Sequence, residues 1–144
     1  MLLTLLIGMT MVLLCLALQA FFIATCIKQY RRLKIAHQDR HTLLQIFILL
    51  SAVLMLMLLA NLIQMVMWAA LFRILGEFTD FSTALYHSGV NFATLGYGDI
   101  TPVARWRLLG PLTSMNGILL FGWSTAVIFE VLDRALLNTE KIVE

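Results

Sequence analysis

The chain has 144 residues, of which 61% are apolar and 12% charged, with a formal net charge of +2. Ordinary globular domains run near ~45–50% apolar and ~25% charged, so a soluble domain is excluded and an integral membrane protein is indicated. The few basic residues sit between apolar blocks, where they set topology; no basic face for nucleic acid exists.

The first apolar run covers residues 1–27. As a helix at about 1.5 Å per residue it reaches roughly 40 Å, enough to cross a hydrocarbon core of about 30 Å with tilt. A cleaved leader fits poorly, because no basic stretch opens the run and no small-x-small site closes it. A retained span is expected. Cys15 and Cys26 both lie in it, roughly 16 Å apart along a helix and too far for a bond to each other.

Residues 28–42 read as a short polar loop or, in part, a continuation of the first helix, carrying Lys28, Arg31, Arg32, Lys34 and Arg40. His37 and His41 in this loop lack the carboxylate or Cys partners that a metal site needs. Residues 43–75 form a second span, with Trp68 near its end where interfacial aromatics collect. Asn61 and Gln64 are polar inside it and are expected to bond a neighbouring helix or the short helix that follows. Met55, Met57, Met65 and Met67 read as packing filler.

Thr79 or Asp80 can cap a short helix over 81–93. That helix is too short to span, and it holds Ser82, Thr83, His87, Ser88 and Asn91. A short polar-dotted helix between full spans reads as re-entrant, shielded from lipid by protein or water. Residues 94–99, Thr94-Leu95-Gly96-Tyr97-Gly98-Asp99, follow as Gly-rich irregular backbone. Residues 107–132 form the third span, and 137–144 a short tail. No span repeats basic residues at every third position, so no Arg-rich voltage sensor is present. The loop at 28–42 and the C-terminal end carry more Lys and Arg than the opposite side, which places them in the cytoplasm and the Gly-rich segment outside.

Irregular backbone at membrane depth is permitted where it lines a pore. A filter for ions needs carbonyl oxygens aimed at one axis to replace lost hydration. That aim requires alternating backbone hands, which Gly96 and Gly98 supply at low steric cost. The carbonyls of Thr94, Leu95, Gly96 and Tyr97 are the expected ligands, with Leu95 and Tyr97 side chains packing the wall. The carboxyl end of the short helix would add partial negative charge below them.

Residues Thr83-Ala84-Leu85-Tyr86-His87-Ser88, Thr94-Leu95-Gly96-Tyr97-Gly98-Asp99 and Thr101-Pro102 resemble the pore-loop potassium-channel family. A match to the six-residue filter pattern arises by chance in roughly one chain in ten thousand of this size. The likeness extends through Gly117-Ile118-Leu119-Leu120-Phe121-Gly122-Trp123-Ser124-Thr125-Ala126, similar to the inner helix of small bacterial two-helix channels. The resemblance implies an all-α membrane fold and a homotetrameric pore in the cell membrane, with K⁺ as the permeant ion. It implies an inner-helix hinge at Gly117 and a cavity lined by Phe121 and Thr125, and no other cofactor. It also implies that Tyr86 and Asp99 support the filter, and that His87 stands where related channels hold an aromatic donor to the filter Asp. His87 is expected either to donate to Asp99, a carboxylate that would raise its pKa, or only to pack against Tyr97 of a neighbouring subunit.

Departures concern the shell and spare the ligands: Val90 stands where some members keep a Glu, Tyr86-His87 where a Trp pair is common, and Ala93 where many have Thr. The first span is an addition to the two-helix plan, so it is expected to be peripheral and dispensable for the pore. Glu130 reads either as an acid at the inner mouth or as a partner of Arg134, and Asn116 either as a packing hydrogen-bond residue or as one facing the filter from behind. No nucleophile–base pair or phosphate-cradling loop points to an enzyme. Three other readings stay open: a weakly selective cation channel, one unit of a potassium-uptake transporter, and a non-conducting interaction protein with a relic filter.

Overall fold

Backbone polar groups inside a bilayer must be satisfied within the segment, which makes helix the default for each apolar run. The computed structural model describes residues 1–36 and 43–140, and among them the regular structure is four helices with no strand: α1 Leu2–Ala36, α2 Leu43–Ile74, α3 Phe81–Phe92 and α4 Leu109–Glu140. Three hold apolar stretches long enough to cross a membrane, Leu2–Lys28, Leu44–Ile74 and Leu109–Asp133. The 12 residues of α3 reach about 18 Å, well short of the ~30 Å core. The chain is therefore a multi-pass membrane protein with one re-entrant helix.

Two helices run past their apolar spans. α1 continues to Ala36, so of the two readings of this stretch the helical continuation holds for Lys28, Arg31, Arg32 and Lys34. α4 continues to Glu140, beyond the expected stop at 132. Neither extension contains Gly or Pro, and Lys, Arg, Leu and Ala carry the helix on at little cost. His37 and His41 lie outside the described residues.

The first span is not peripheral. Met11, Val12 and Cys15 of α1 share one core with Trp68, Ala69 and Phe72 of α2, Ala84 and Phe92 of α3, and Leu109 and Leu120 of α4. Trp68 is fully buried in this core, where it packs on Phe72. A second cluster joins Cys26, Val53, Met57 and Val131 at the other end of the bundle. The Thr4 hydroxyl donates to the Arg105 carbonyl at 3.1 Å, so α1 begins at the end where the Gly-rich loop opens. On α4 the buried residues among those described are Leu109, Gly110, Thr113, Asn116, Gly117, Leu120, Ser124 and Val131, a stripe at helical spacing. The opposite face, including Met115, Ile118, Leu119 and Phe129, is exposed in the single chain.

Candidate functional site

The site is built on α3. Asp80 caps it, its carboxylate accepting from the Thr83 backbone N–H at 3.0 Å and the Thr83 hydroxyl at 3.3 Å. At the other end the chain turns out of the helix through Ala93, whose N–H donates to the Gly89 carbonyl at 2.9 Å. The loop is then tied back: Thr94 N–H donates to Asn91 O at 2.8 Å, and Leu95 and Gly96 N–H both donate to Val90 O at 2.9 and 3.3 Å.

Beyond that point the backbone alternates in hand. Positive φ occurs at Thr94 (61°), Gly96 (57°) and Gly98 (73°), and not at Leu95 or Tyr97. Gly96 and Gly98 adopt it freely, as expected. Thr94 is β-branched, so its conformation is strained by about 1–3 kcal/mol. The Asn91 carbonyl, by fixing the Thr94 N–H, helps to hold it. Alternation of this kind turns successive carbonyls toward one side. Among the described residues no hydrogen bond reaches the carbonyls of Thr94, Leu95, Gly96 or Tyr97, and residues 93–99 are exposed in the single chain.

Asp99 follows. Its carboxylate accepts from the Tyr86 hydroxyl at 2.7 Å and from the Ile100 N–H at 3.0 Å. The expected His87–Asp99 bond is not formed; Tyr86, one residue earlier, makes it. That bond and the neighbouring charge raise the Tyr86 pKa. His87 is turned inward, its ring edge-on to Phe72 at 4.9 Å and tilted against Phe78 at 5.1 Å between centroids. Its Nδ1 lies 2.9 Å from the Ile100 carbonyl. A carbonyl only accepts, so Nδ1 carries the proton, which leaves Nε2 to accept from Asn91 Nδ2 at 3.2 Å. Burial lowers the His87 pKa below 6.5, outweighing the Ile100 carbonyl, Asp99 and Glu77, which act to raise it. The expected raised value is thereby reversed.

The inner helix meets α3 at Gly117. A Cβ there would overlap the Phe92 carbonyl oxygen and stand 2.9 Å from its carbonyl carbon. α4 is unbroken through this residue; in this structure the glycine serves close approach to α3. Beside it, Ser114 Oγ donates to Asn91 O at 2.8 Å. Phe121 sets its ring edge-on to Phe92 at 5.5 Å and is 40% exposed, while Thr125 is exposed with its hydroxyl on the Phe121 carbonyl at 2.9 Å. Thr125 points away from the buried stripe of α4, and Phe121 stands at its edge. Asn116 is fully buried next to the Cys15 thiol, and its amide has no oxygen or nitrogen partner. Both cysteines are free and buried.

Sequence reasoning missed three residues that shape this region. Asn91 ties α3 to Thr94, His87 and α4. Glu77 accepts from the Val103 N–H at 2.8 Å, joining the α2–α3 turn to the loop beyond Asp99. Gln19 is fully buried in the middle of α1, where a lone amide in an apolar run was the available signal.

Two full spans flanking a short re-entrant helix and an irregular Gly-rich loop, with a third span packed alongside, define a pore-loop membrane protein. Residues 64–134, about half of the chain, match a family model described as an ion channel. That stretch is an ion-channel domain of the pore-loop family, and the chain is an ion-channel subunit. A search of curated proteins and a search of solved structures each returned no match.

Proposed function

We propose that this chain is one subunit of a K⁺-selective channel whose filter is Thr94-Leu95-Gly96-Tyr97-Gly98-Asp99. The observation that carries the reading is the alternation of positive φ at Thr94, Gly96 and Gly98, together with carbonyls at 94–97 that no protein group occupies. Such oxygens, gathered around one axis, replace the hydration shell of a cation. One chain supplies one strand of ligands, and an ion must be surrounded, so four copies around an axis complete the site. The exposed apolar face of α4 and the exposed Leu95 and Tyr97 side chains support such an assembly, because neighbouring subunits would cover them.

In this arrangement Phe121 and Thr125 line a central cavity below the filter. The Tyr86–Asp99 bond and the His87–Ile100 bond hold its outer end. Transport is passive, and nothing in the mechanism calls for a cofactor. The basic end of α1 and the end of α4 face the cytoplasm of the cell membrane, and the filter opens outward. Liposome flux tests the filter assignment. Wild type should pass K⁺ in preference to Na⁺, and Gly96→Ala should abolish the preference because its Cβ disfavours the positive φ. Unchanged flux and selectivity in Gly96→Ala would overturn it.

A further inference from the structure

α1 is the part of the chain that the pore-loop reading does not use, and it carries a polar group where lipid tolerates none. Gln19 is fully buried at mid-helix. Its Nε2 donates to Ser124 Oγ on α4 at 3.1 Å, and its Oε1 accepts from Gln64 Nε2 on α2 at 2.8 Å. Asn61 Nδ2, also on α2, donates to the same Ser124 oxygen at 3.3 Å. Ser124 in turn donates to the Leu120 carbonyl at 2.8 Å. The hydroxyl has one hydrogen and two lone pairs, and all three are engaged. Two helices thus fasten the inner helix at a single residue.

Resting on the channel reading, we infer that Gln19 is a positioning residue: through Ser124 it fixes the height and tilt of α4 and so sets the width of the central cavity at Thr125 and Phe121. Ser124 is buried and its neighbour Thr125 is exposed, so a displacement of the first moves the second. Leu-rich surfaces slide past one another with little register preference, whereas a buried amide specifies one register because its alternatives leave polar atoms bare in hydrocarbon. A slip of one helical turn is about 5.4 Å, which breaks both Gln19 bonds. A second pin lies toward the filter end. At Gly8, the space for a Cβ is taken by Leu112, with Leu109 at 3.2 Å, so α1 is seated on α4 at two heights. The first span is in this sense a brace on the inner helix.

The test uses the full chain in planar bilayers, with tetrabutylammonium applied from the cytoplasmic side and the half-blocking concentration read for wild type, Gln19→Leu, Ser124→Ala and the double variant. Leu keeps the volume and apolarity of the span, so α1 inserts. Each single variant should shift the half-blocking concentration at least threefold. The double variant should show less than the sum of the two singles, because the Gln19–Ser124 bond that each of them removes can be lost only once. Should Gln19→Leu fail to assemble, Gln19→Asn, one methylene too short to hold both partners, is read in the same way. Lowered melting temperature with unshifted block, or additive shifts, would overturn the inference and leave the channel reading intact. A wild-type protein without K⁺ current would overturn the channel reading itself, and this inference with it.

Discussion

Replacing Gly117 by Ala places one methyl group against main chain. The new Cβ overlaps the Phe92 carbonyl oxygen, and it stands 2.9 Å from the carbonyl carbon and 3.3 Å from the Cα of that residue. Carbon atoms rest at about 3.5–4.0 Å, so α4 and the end of α3 must part by about 1 Å. The obstacle is backbone, which cannot swing aside as a side chain would. Overpacking of this sort costs about 1–3 kcal/mol, and the upper end applies here. Ala gains about 1 kcal/mol over Gly in a helix, leaving a net loss of about 2 kcal/mol per subunit. The displacement also reaches the loop, since Phe92 lies between the carbonyls of Val90 and Asn91 that anchor residues 94–96 and Thr94 itself. Gly122→Ala is the control, because its Cβ meets no atom of the chain within 4 Å. Thermal melting of the purified protein and K⁺ flux should both fall for Gly117→Ala; for Gly122→Ala melting should hold or rise and flux should hold. Equal melting temperatures for the two variants would refute the reasoning.

Three further outcomes follow from the same geometry. His87 has its pKa lowered from 6.5 by burial, so its contribution to stability is complete above about pH 6.5. It is lost as pH falls and the unfolded chain takes up a proton that the folded site resists, levelling off below the folded value. Wild type should destabilise on acidification from pH 7.5 to 5, and His87→Phe should lack this component; stability that instead declines as pH rises would contradict it. Tyr86→Phe removes the 2.7 Å bond to Asp99 and should hasten the decay of K⁺ current under sustained conduction, whereas Tyr86→Trp, which keeps a donor, should decay more slowly than the Phe variant. A chain beginning near Arg40 loses both Gln19 bonds, worth about 0.6 kcal/mol each in a bilayer, together with the Gly8 seat. Its assembly should be less stable than the full chain by about 1–2 kcal/mol in thermal or denaturant unfolding, and equal stability would return α1 to the periphery.

The spans, a cap at Thr79 or Asp80 and the positive φ of Gly96 and Gly98 were legible because each depends on local chemistry: apolar run length, a side chain that reaches its own helix N-terminus, and residues that tolerate positive φ. The partner of Asp99 was not. Tyr86 and His87 are adjacent and point about 100° apart on a helix, and the rotation of α3 decides between them. That rotation is set by the slot between Phe72 and Phe78, which His87 fills. The direction of the His87 pKa went with it, since a ring expected beside a carboxylate proved to be enclosed by aromatics. Gly117 reads as a hinge by resemblance, and the close approach of Phe92 emerges only once α3 and α4 are packed. α1 looked peripheral because it is an addition to the two-helix plan; one amide in its apolar run, Gln19, distinguishes a docked helix from a lipid-facing one. The helix end at Glu140 was missed, and the one at Ala36 stayed open, because polar residues with good helix propensity carry the helix past the apolar run.

The central claim is selective conduction through the carbonyls of residues 94–97. The most direct measurement is the reversal potential of the reconstituted wild-type protein with K⁺ on one side of a planar bilayer and Na⁺ at equal concentration on the other. Each tenfold preference for K⁺ moves that potential by about 59 mV for a univalent ion. The account predicts a shift of at least that size, with the sign expected for K⁺. A reversal potential near zero, with robust current, would contradict it and identify a weakly selective cation channel.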